Sequence, residues 1–255
     1  MAETTIKHHD LKRKRISCDD GPRKKHKQTK PTFSDPTALV TFLIGPNAKP
    51  FLVHKEVILN KSEVLAAAFS SNFIEGQTQT YHIDDTTEEV FRFFVQWLYS
   101  DKLEVWQLNE ERKHDIRYIL NNPKEHRIWI ANENSENQTL AALWVLADKL
   151  CLPTLQNLVV EYIADISKLP NTWLPYKTYH YIYDNTSDDS PLRRLSVIQV
   201  ATYFGAREFK KFSKWFPVEI LVDFGAFMLE RAGSGKGGID EALEEEMKKC
   251  VVPVP

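Results

Sequence analysis

The 255-residue sequence balances 33 Lys and Arg against 35 Asp and Glu, a formal net charge of −2, with 42% hydrophobic residues. That is globular-protein composition, and its longest apolar run, residues 140–147, falls well short of the roughly 20 residues that cross a bilayer, so no membrane span is expected. Three scattered cysteines, Cys18, Cys151 and Cys250, show neither disulfide nor metal-ligand spacing, and the opening MAETTIKHHD lacks the apolar core of a secretory signal; both features predict a reducing, intracellular setting.

The charge is unevenly distributed. Residues 1–30 hold ten Lys and Arg against four Asp and Glu, leaving 23 basic and 31 acidic residues in the remainder, so a tail of +6 precedes a body of −8. The tail has almost no large apolar residues and is expected to be disordered over about 1–35. Its two cationic clusters, Lys12, Arg13, Lys14 and Arg15, then Lys24, Lys25 and Lys27, resemble a bipartite nuclear localisation signal, in which two groups of cations fit two acidic grooves of an importin-type receptor. The competing readings are a solvated charge run and a phosphate-binding arm that gains affinity by releasing counterions. Import is favoured, because the acidic body repels nucleic acid and gives such an arm no cooperating surface.

Order is predicted to begin near Asp35. ALVTFLIG and KPFLV read as a β-hairpin around Gly45, Pro46, Asn47 and Pro50. A helical pattern follows at once, with Ser62 as the N-cap before Val64, Leu65, Ala68 and Phe69. YHID, at 81–84, is a further strand. Asp85 with Glu88, and Thr86 with Glu89, mark a helix start, and Val90, Phe94, Trp97 and Leu98 form that helix's buried face. From Asp101 to about Asn137 the chain turns polar and aperiodic, which predicts an extended insertion containing a short strand RIWI and a helical turn DIRYIL. Two amphipathic helices, broken at Pro153, carry Leu140, Leu143, Trp144, Ala147 and Leu150, then Leu155, Leu158, Val159, Tyr162, Ile163 and Ile166. In a helical extension over 169–232, Ser190 and Pro191 open a helix to about Phe204. Pro217 opens another, with Val218, Leu221, Val222, Gly225 and Met228 on one side and Gly233 at its end. Residues 233–255 read as a flexible segment with a loosely held acidic helix.

Four stretches occur in a telling order: HKEVILNKS at 54–62, Phe73-Ile74-Glu75, FFVQWLYS at 93–100, and LADKLCLPTLQNLVVEYI at 146–163. Together they resemble a BTB/POZ domain over about residues 36–168, with His54, Ser62, Tyr99 and Pro153 as fold-defining positions. The following NTWLPYKTYHYIYDNTSDDSPLRRLSVIQVA is similar to the extension of fungal single-BTB proteins. The resemblance implies an α+β fold, a mainly helical cluster with a short flanking β-sheet followed by a C-terminal helical extension. It also implies a non-enzymatic protein-interaction module without cofactor or metal. Some relatives are substrate adaptors of cullin-type ubiquitin ligases and carry an apolar-x-Glu triplet before the paired helices; Leu108-Asn109-Glu110 makes Leu108 and Glu110 the candidate cullin contacts here. The insertion is longer than in many relatives, and no additional strand precedes Ala38 of the kind that knits strand-exchanged dimers, so homo-oligomerisation stays open.

No local constellation supports catalysis. His54 has only Lys55 and Glu56 beside it, and is expected to fix its corner by bonding nearby backbone groups. GSGKGG, at 233–238, lacks the first glycine and the hydroxyl of a phosphate loop and follows a helix, while His8, His9 and His26 sit in a tail without fixed geometry. The aromatics Phe91, Phe93, Phe94, Trp97 and Trp144 follow helical spacing and read as core. The function predicted is therefore a nuclear protein-interaction module, also present in the cytoplasm, with a cullin as one candidate partner. Its rival is a chromatin-associated factor whose tail binds nucleic acid while the body recruits regulators.

Overall fold

The structure, a computed structural model, describes residues 31–109, 121–169, 174–234 and 246–254. Strands β1 (Leu39–Ile44) and β2 (Lys49–His54) form the predicted antiparallel hairpin, in register from Leu39 opposite His54 to Ile44 opposite Lys49. Gly45 turns the chain at φ +70, a left-handed conformation that only a residue without Cβ adopts freely. Strand β3 (Thr80–Ile83) adds parallel to the other side of β1, giving the order β2-β1-β3. Val40, Phe42 and Ile44 alternate along β1 and are buried, so one face of the sheet lies on the core.

Helix α1 (Lys55–Lys61) leaves β2 without a loop, and Ser62 then serves two helices. Its amide closes α1 onto the Ile58 carbonyl, and its Oγ accepts from the Leu65 amide at 3.2 Å to start α2 (Glu63–Ser70). Helix α3 (Ile74–Thr78) is a short turn before β3. Helix α4 (Glu88–Ser100) starts later than predicted: the cap is Thr87, whose Oγ1 accepts from the Val90 amide, whereas Asp85 is drawn off by Lys149 at 2.5 Å.

The insertion is not extended. A short 3-10 turn at Trp106–Leu108 is followed by helix α5 (Pro123–Lys149), 27 residues and about 40 Å at 1.5 Å per residue. RIWI lies inside it; DIRYIL falls outside the described residues. The polar half of α5 escaped a periodicity reading because Asn137 is its first buried residue, so it has no apolar stripe to announce it. Polar contacts hold it instead: Glu136 accepts from the Trp106 and Gln107 amides at 2.7 and 3.0 Å, and Trp129 packs on Trp106 with ring centroids 4.7 Å apart.

Pro153 opens α6 (Pro153–Ser167) after a sharp turn in which Cys151 takes φ +52. In the extension, α7 (Tyr176–Asn185) is an unanticipated helix, and α8 (Pro191–Tyr203) starts as predicted, with Ser190 Oγ accepting from the Leu192 amide at 3.2 Å. A short α9 (Ala206–Phe212), also unanticipated, and a 3-10 turn at Ser213–Trp215 lead to α10 (Val218–Ser234). The buried stripe of α10 differs from the expected one: Ile220 and Phe227 face the core with Leu221 and Phe224 beside them, while Val218 and Val222 are exposed. A helix apolar on several sides offers two stripes at helical spacing, and pattern alone does not choose between them.

Helix α5 packs on α4, α6 and α7, and α8 on α6, α7 and α10. One continuous core therefore runs from Val40 in the sheet to Cys250 near the C-terminus. Residues 246–254 are anchored, contrary to the flexible segment expected. Glu246 is buried and pairs with Arg194 and Lys249 at 2.7 Å, Cys250 is fully buried, and the Asn157 amide group bonds both the N–H and the C=O of Val252 at 2.7 and 2.9 Å.

Arg193 fixes the turn between α7 and α8. Buried against the Tyr183 ring, it donates to the carbonyls of Tyr183 and Thr186, to Thr186 Oγ1 and to Asp188. Arg193→Met keeps the bulk but strands two buried carbonyls, and is expected to cost about 3 kcal/mol of stability in urea denaturation.

Candidate protein-interaction surface

The segment from Ser71 to Gln79 is bound to itself at nearly every residue. Ser71 Oγ donates to the Ala68 carbonyl and accepts from the Phe73 amide; Gln77 Nε2 reaches the Asn72 carbonyl at 2.8 Å; Thr78 Oγ1 reaches that of Ile74 at 2.7 Å. Gln79, at φ +51, ties its amide to the carbonyls of Phe69 and Gly76. Gly76 is required by close approach, since a Cβ there would stand 1.9 Å from the Ser71 carbonyl oxygen. This stiff loop presents Phe73 and Ile74 to solvent at 75% and 70% exposure. Two large adjacent apolar side chains held in water by an ordered loop are a surface on which binding would cost little loop entropy.

The corner at His54 is held differently from expectation. The Tyr99 hydroxyl accepts from the His54 amide at 3.1 Å and lies 2.7 Å from its Nδ1, so the contact is to a side chain 45 residues away rather than to neighbouring backbone. Two of the fold-defining positions thus meet each other. Pro153 and Ser62 act within the fold as described above.

Glu56, beside that corner, receives the chain as it enters the domain. Its carboxylate accepts from the amides of Thr32, Phe33 and Ser34 and from the Thr32 and Ser34 hydroxyls. Phe33, at φ +52, packs edge-on to the His54 ring. Desolvation pushes the Glu56 carboxyl up, but the hydrogen bonds from Thr32, Ser34 and Phe33 outweigh it and hold the group below its ordinary value of 4.5.

Leu108 is half-buried and packs against the core, so only part of it is offered outward. Glu110 lies outside the described residues, as do the tail positions Lys12, Arg13, Lys14, Arg15, Lys24, Lys25 and Lys27 and the histidines His8, His9 and His26. Of GSGKGG, Gly233 lies within α10 rather than closing it, the helix running on to Ser234, and the residues after Ser234 are not described. Phe91, Phe94, Trp97 and Trp144 are core, as their spacing implies, and Phe93 packs against it. A polar cleft of about 470 Å³ between α8, α10 and the C-terminal turn is lined by Asp188, Arg193, Arg194, Asp223, Glu230 and Lys249 among others. Arg193, Arg194 and Lys249 are all engaged in ion pairs there. Tyr183 donates to Asp223 at 2.8 Å; burial, then the Asp223 carboxylate, push its hydroxyl far above the ordinary range, so the phenol stays protonated. Among the described residues no group of three His, Cys, Asp or Glu could hold a metal ion, and no helix is long and apolar enough to cross a membrane.

Residues 27–127 match the family model for the BTB/POZ domain. Over those residues the chain is a BTB/POZ domain. Comparison with the curated proteins gives no match. A BTB/POZ domain is a protein-interaction module rather than a catalytic one, and the exposed Phe73 and Ile74 lie within the matched residues. The match ends at Arg127, in the second turn of α5, so the buried half of that helix and the whole extension lie beyond it. Sequence reasoning quoted Phe73-Ile74-Glu75 as a motif, yet not as a surface. The signal was two large apolar residues beside Ser71, Asn72 and Gly76, a loop composition in which apolar side chains need a reason.

Two predictions follow from this geometry. Gly76→Ala forces the Ser71 carbonyl away and is expected to cost about 1–3 kcal/mol by chemical denaturation, with faster amide exchange across residues 71–79. Because the Glu56 carboxyl titrates lower in the folded state, its contribution is present above pH 4.5 and lost as pH falls through the depressed folded value. Amide protection of residues 32–34 is expected to vanish on acidification, and at neutral pH in Glu56→Gln.

Proposed function

We propose that this protein is a nuclear adaptor whose BTB/POZ domain binds a protein partner through the α3 loop, with a cullin-type ubiquitin ligase subunit as that partner. The observation that carries the reading is the pair Phe73 and Ile74, exposed on a loop fixed by its own hydrogen bonds. Large apolar and aromatic anchors dominate interface energies when they enter a partner's pocket, and here they stand ready without rearrangement. Leu108 packs partly on the core, so the α3 loop, more than the Leu108-x-Glu110 triplet, supplies the anchor.

In this reading the cationic clusters from Lys12 to Lys27 engage an importin-type receptor and place the protein in the nucleus. The Glu56 contact holds residues 32–34 on the folded body, and the clusters precede that point in the chain. The helical extension, in this reading that of a fungal single-BTB protein, completes the shared core.

The test is calorimetric titration of the full chain with a purified cullin N-terminal domain, beside the double variant Phe73→Ala, Ile74→Ala. Both side chains are exposed, so the variant is expected to keep its unfolding midpoint and lose at least tenfold in affinity. Absence of binding by the unaltered chain, or equal binding by the variant, would overturn the proposal.

A further inference from the structure

Helix α9 and the turn after it carry Arg207, Lys210, Lys211 and Lys214, spaced i, i+3, i+4 and i+7, which sets all four on one face. The opposite face is apolar: Phe209 packs on Phe216 and Phe224, and Phe212 on Phe204. All four cations are exposed, and among the described residues none makes an ion pair with a carboxylate. In a body of net charge −8 this is a local reversal of sign.

The cationic face adjoins an exposed aromatic pair. Trp215 and Tyr176, 49% and 45% exposed, lie with ring centroids 5.7 Å apart and planes inclined by 36°. Lys214 Nζ sits 5.1 Å from the Trp215 ring, and the His180 ring lies 3.1 Å from the Trp215 carbonyl oxygen, fixing the turn on α7. Lys177 follows Tyr176 and is exposed.

We infer that this face binds single-stranded nucleic acid, the phosphates on Arg207, Lys210, Lys211 and Lys214 and a base on the Trp215–Tyr176 pair. Exposed aromatics beside a cationic track are what strand binding without sequence preference requires, since every base has a flat face to stack. A duplex keeps those faces inside its own stack and offers only phosphates. A glutamate-rich peptide satisfies the cations but has no ring to match the pair. The site is independent of the α3 loop, so the fate of one proposal does not decide the other.

The test is fluorescence anisotropy of the full chain with a labelled twelve-nucleotide single strand, the same sequence as a duplex, and a glutamate-rich peptide of equal charge. It is run also in a background with Lys12, Arg13, Lys14, Arg15, Lys24, Lys25 and Lys27 replaced by alanine, so that the tail's attraction for phosphate is removed. The single strand is expected to bind most tightly. Trp215→Ala is expected to weaken it about tenfold, and reversal of Lys210, Lys211 and Lys214 to glutamate to flatten the dependence of log K on log salt by about 2, at roughly 0.7 per phosphate contact. These residues are exposed, and circular dichroism is expected to be unchanged. Binding that vanishes in the tail-substituted background, binding insensitive to both variants, or equal affinity for the duplex or the peptide would overturn the inference.

Discussion

From Leu140 to Ala147 helix α5 is almost wholly buried, with α4, α6 and α7 packed against it. Trp144 and Leu143 lie within a single core that reaches the sheet through Phe91 and Phe94 on α4 and the extension through Tyr179 and Ile182 on α7. Each such side chain contributes about 2–3 kcal/mol on burial. The polar half of the same helix could remain solvated because its buried half is fixed. Those first turns support the Trp106–Leu108 turn through Glu136 without a core of their own.

The interaction loop and the cationic face show two ways of exposing apolar surface safely. Phe73 and Ile74 stand on a turn whose polar groups are occupied internally, so the loop does not collapse onto them. Trp215 and Tyr176 are framed by lysines, and charge keeps them from serving as a general adhesive patch. Both are stiff, and stiffness reduces the ordering entropy that binding would otherwise cost.

Much of this fold was legible in the residues because the signals were local. Ser62 and Ser190 cap the helices they precede, Pro153 and Pro191 open theirs, and the alternation of Val40, Phe42 and Ile44 marks a strand with one buried face. Helix α7 was missed because tyrosines form much of its buried stripe, and Tyr179 and Tyr183 read as polar until their burial is known. The first half of α5 was missed because a solvated helix has no apolar period. The bond between His54 and Tyr99 spans 45 residues, and no local pattern specifies such a partner. Phe73-Ile74-Glu75 was visible as a string, but its exposure belongs to the packing around it. The cationic spacing of α9 was likewise present in REFKKFSKW, and its meaning came from the aromatic pair that tertiary structure set beside it.

The single core ties the late residues of the chain to the early ones. The recognisable stretch stops at Arg127, yet residues as late as Cys250 close the interior that supports it. Disruption of α8 or of residues 246–254 therefore reaches the shared interior without touching Phe73 or Ile74.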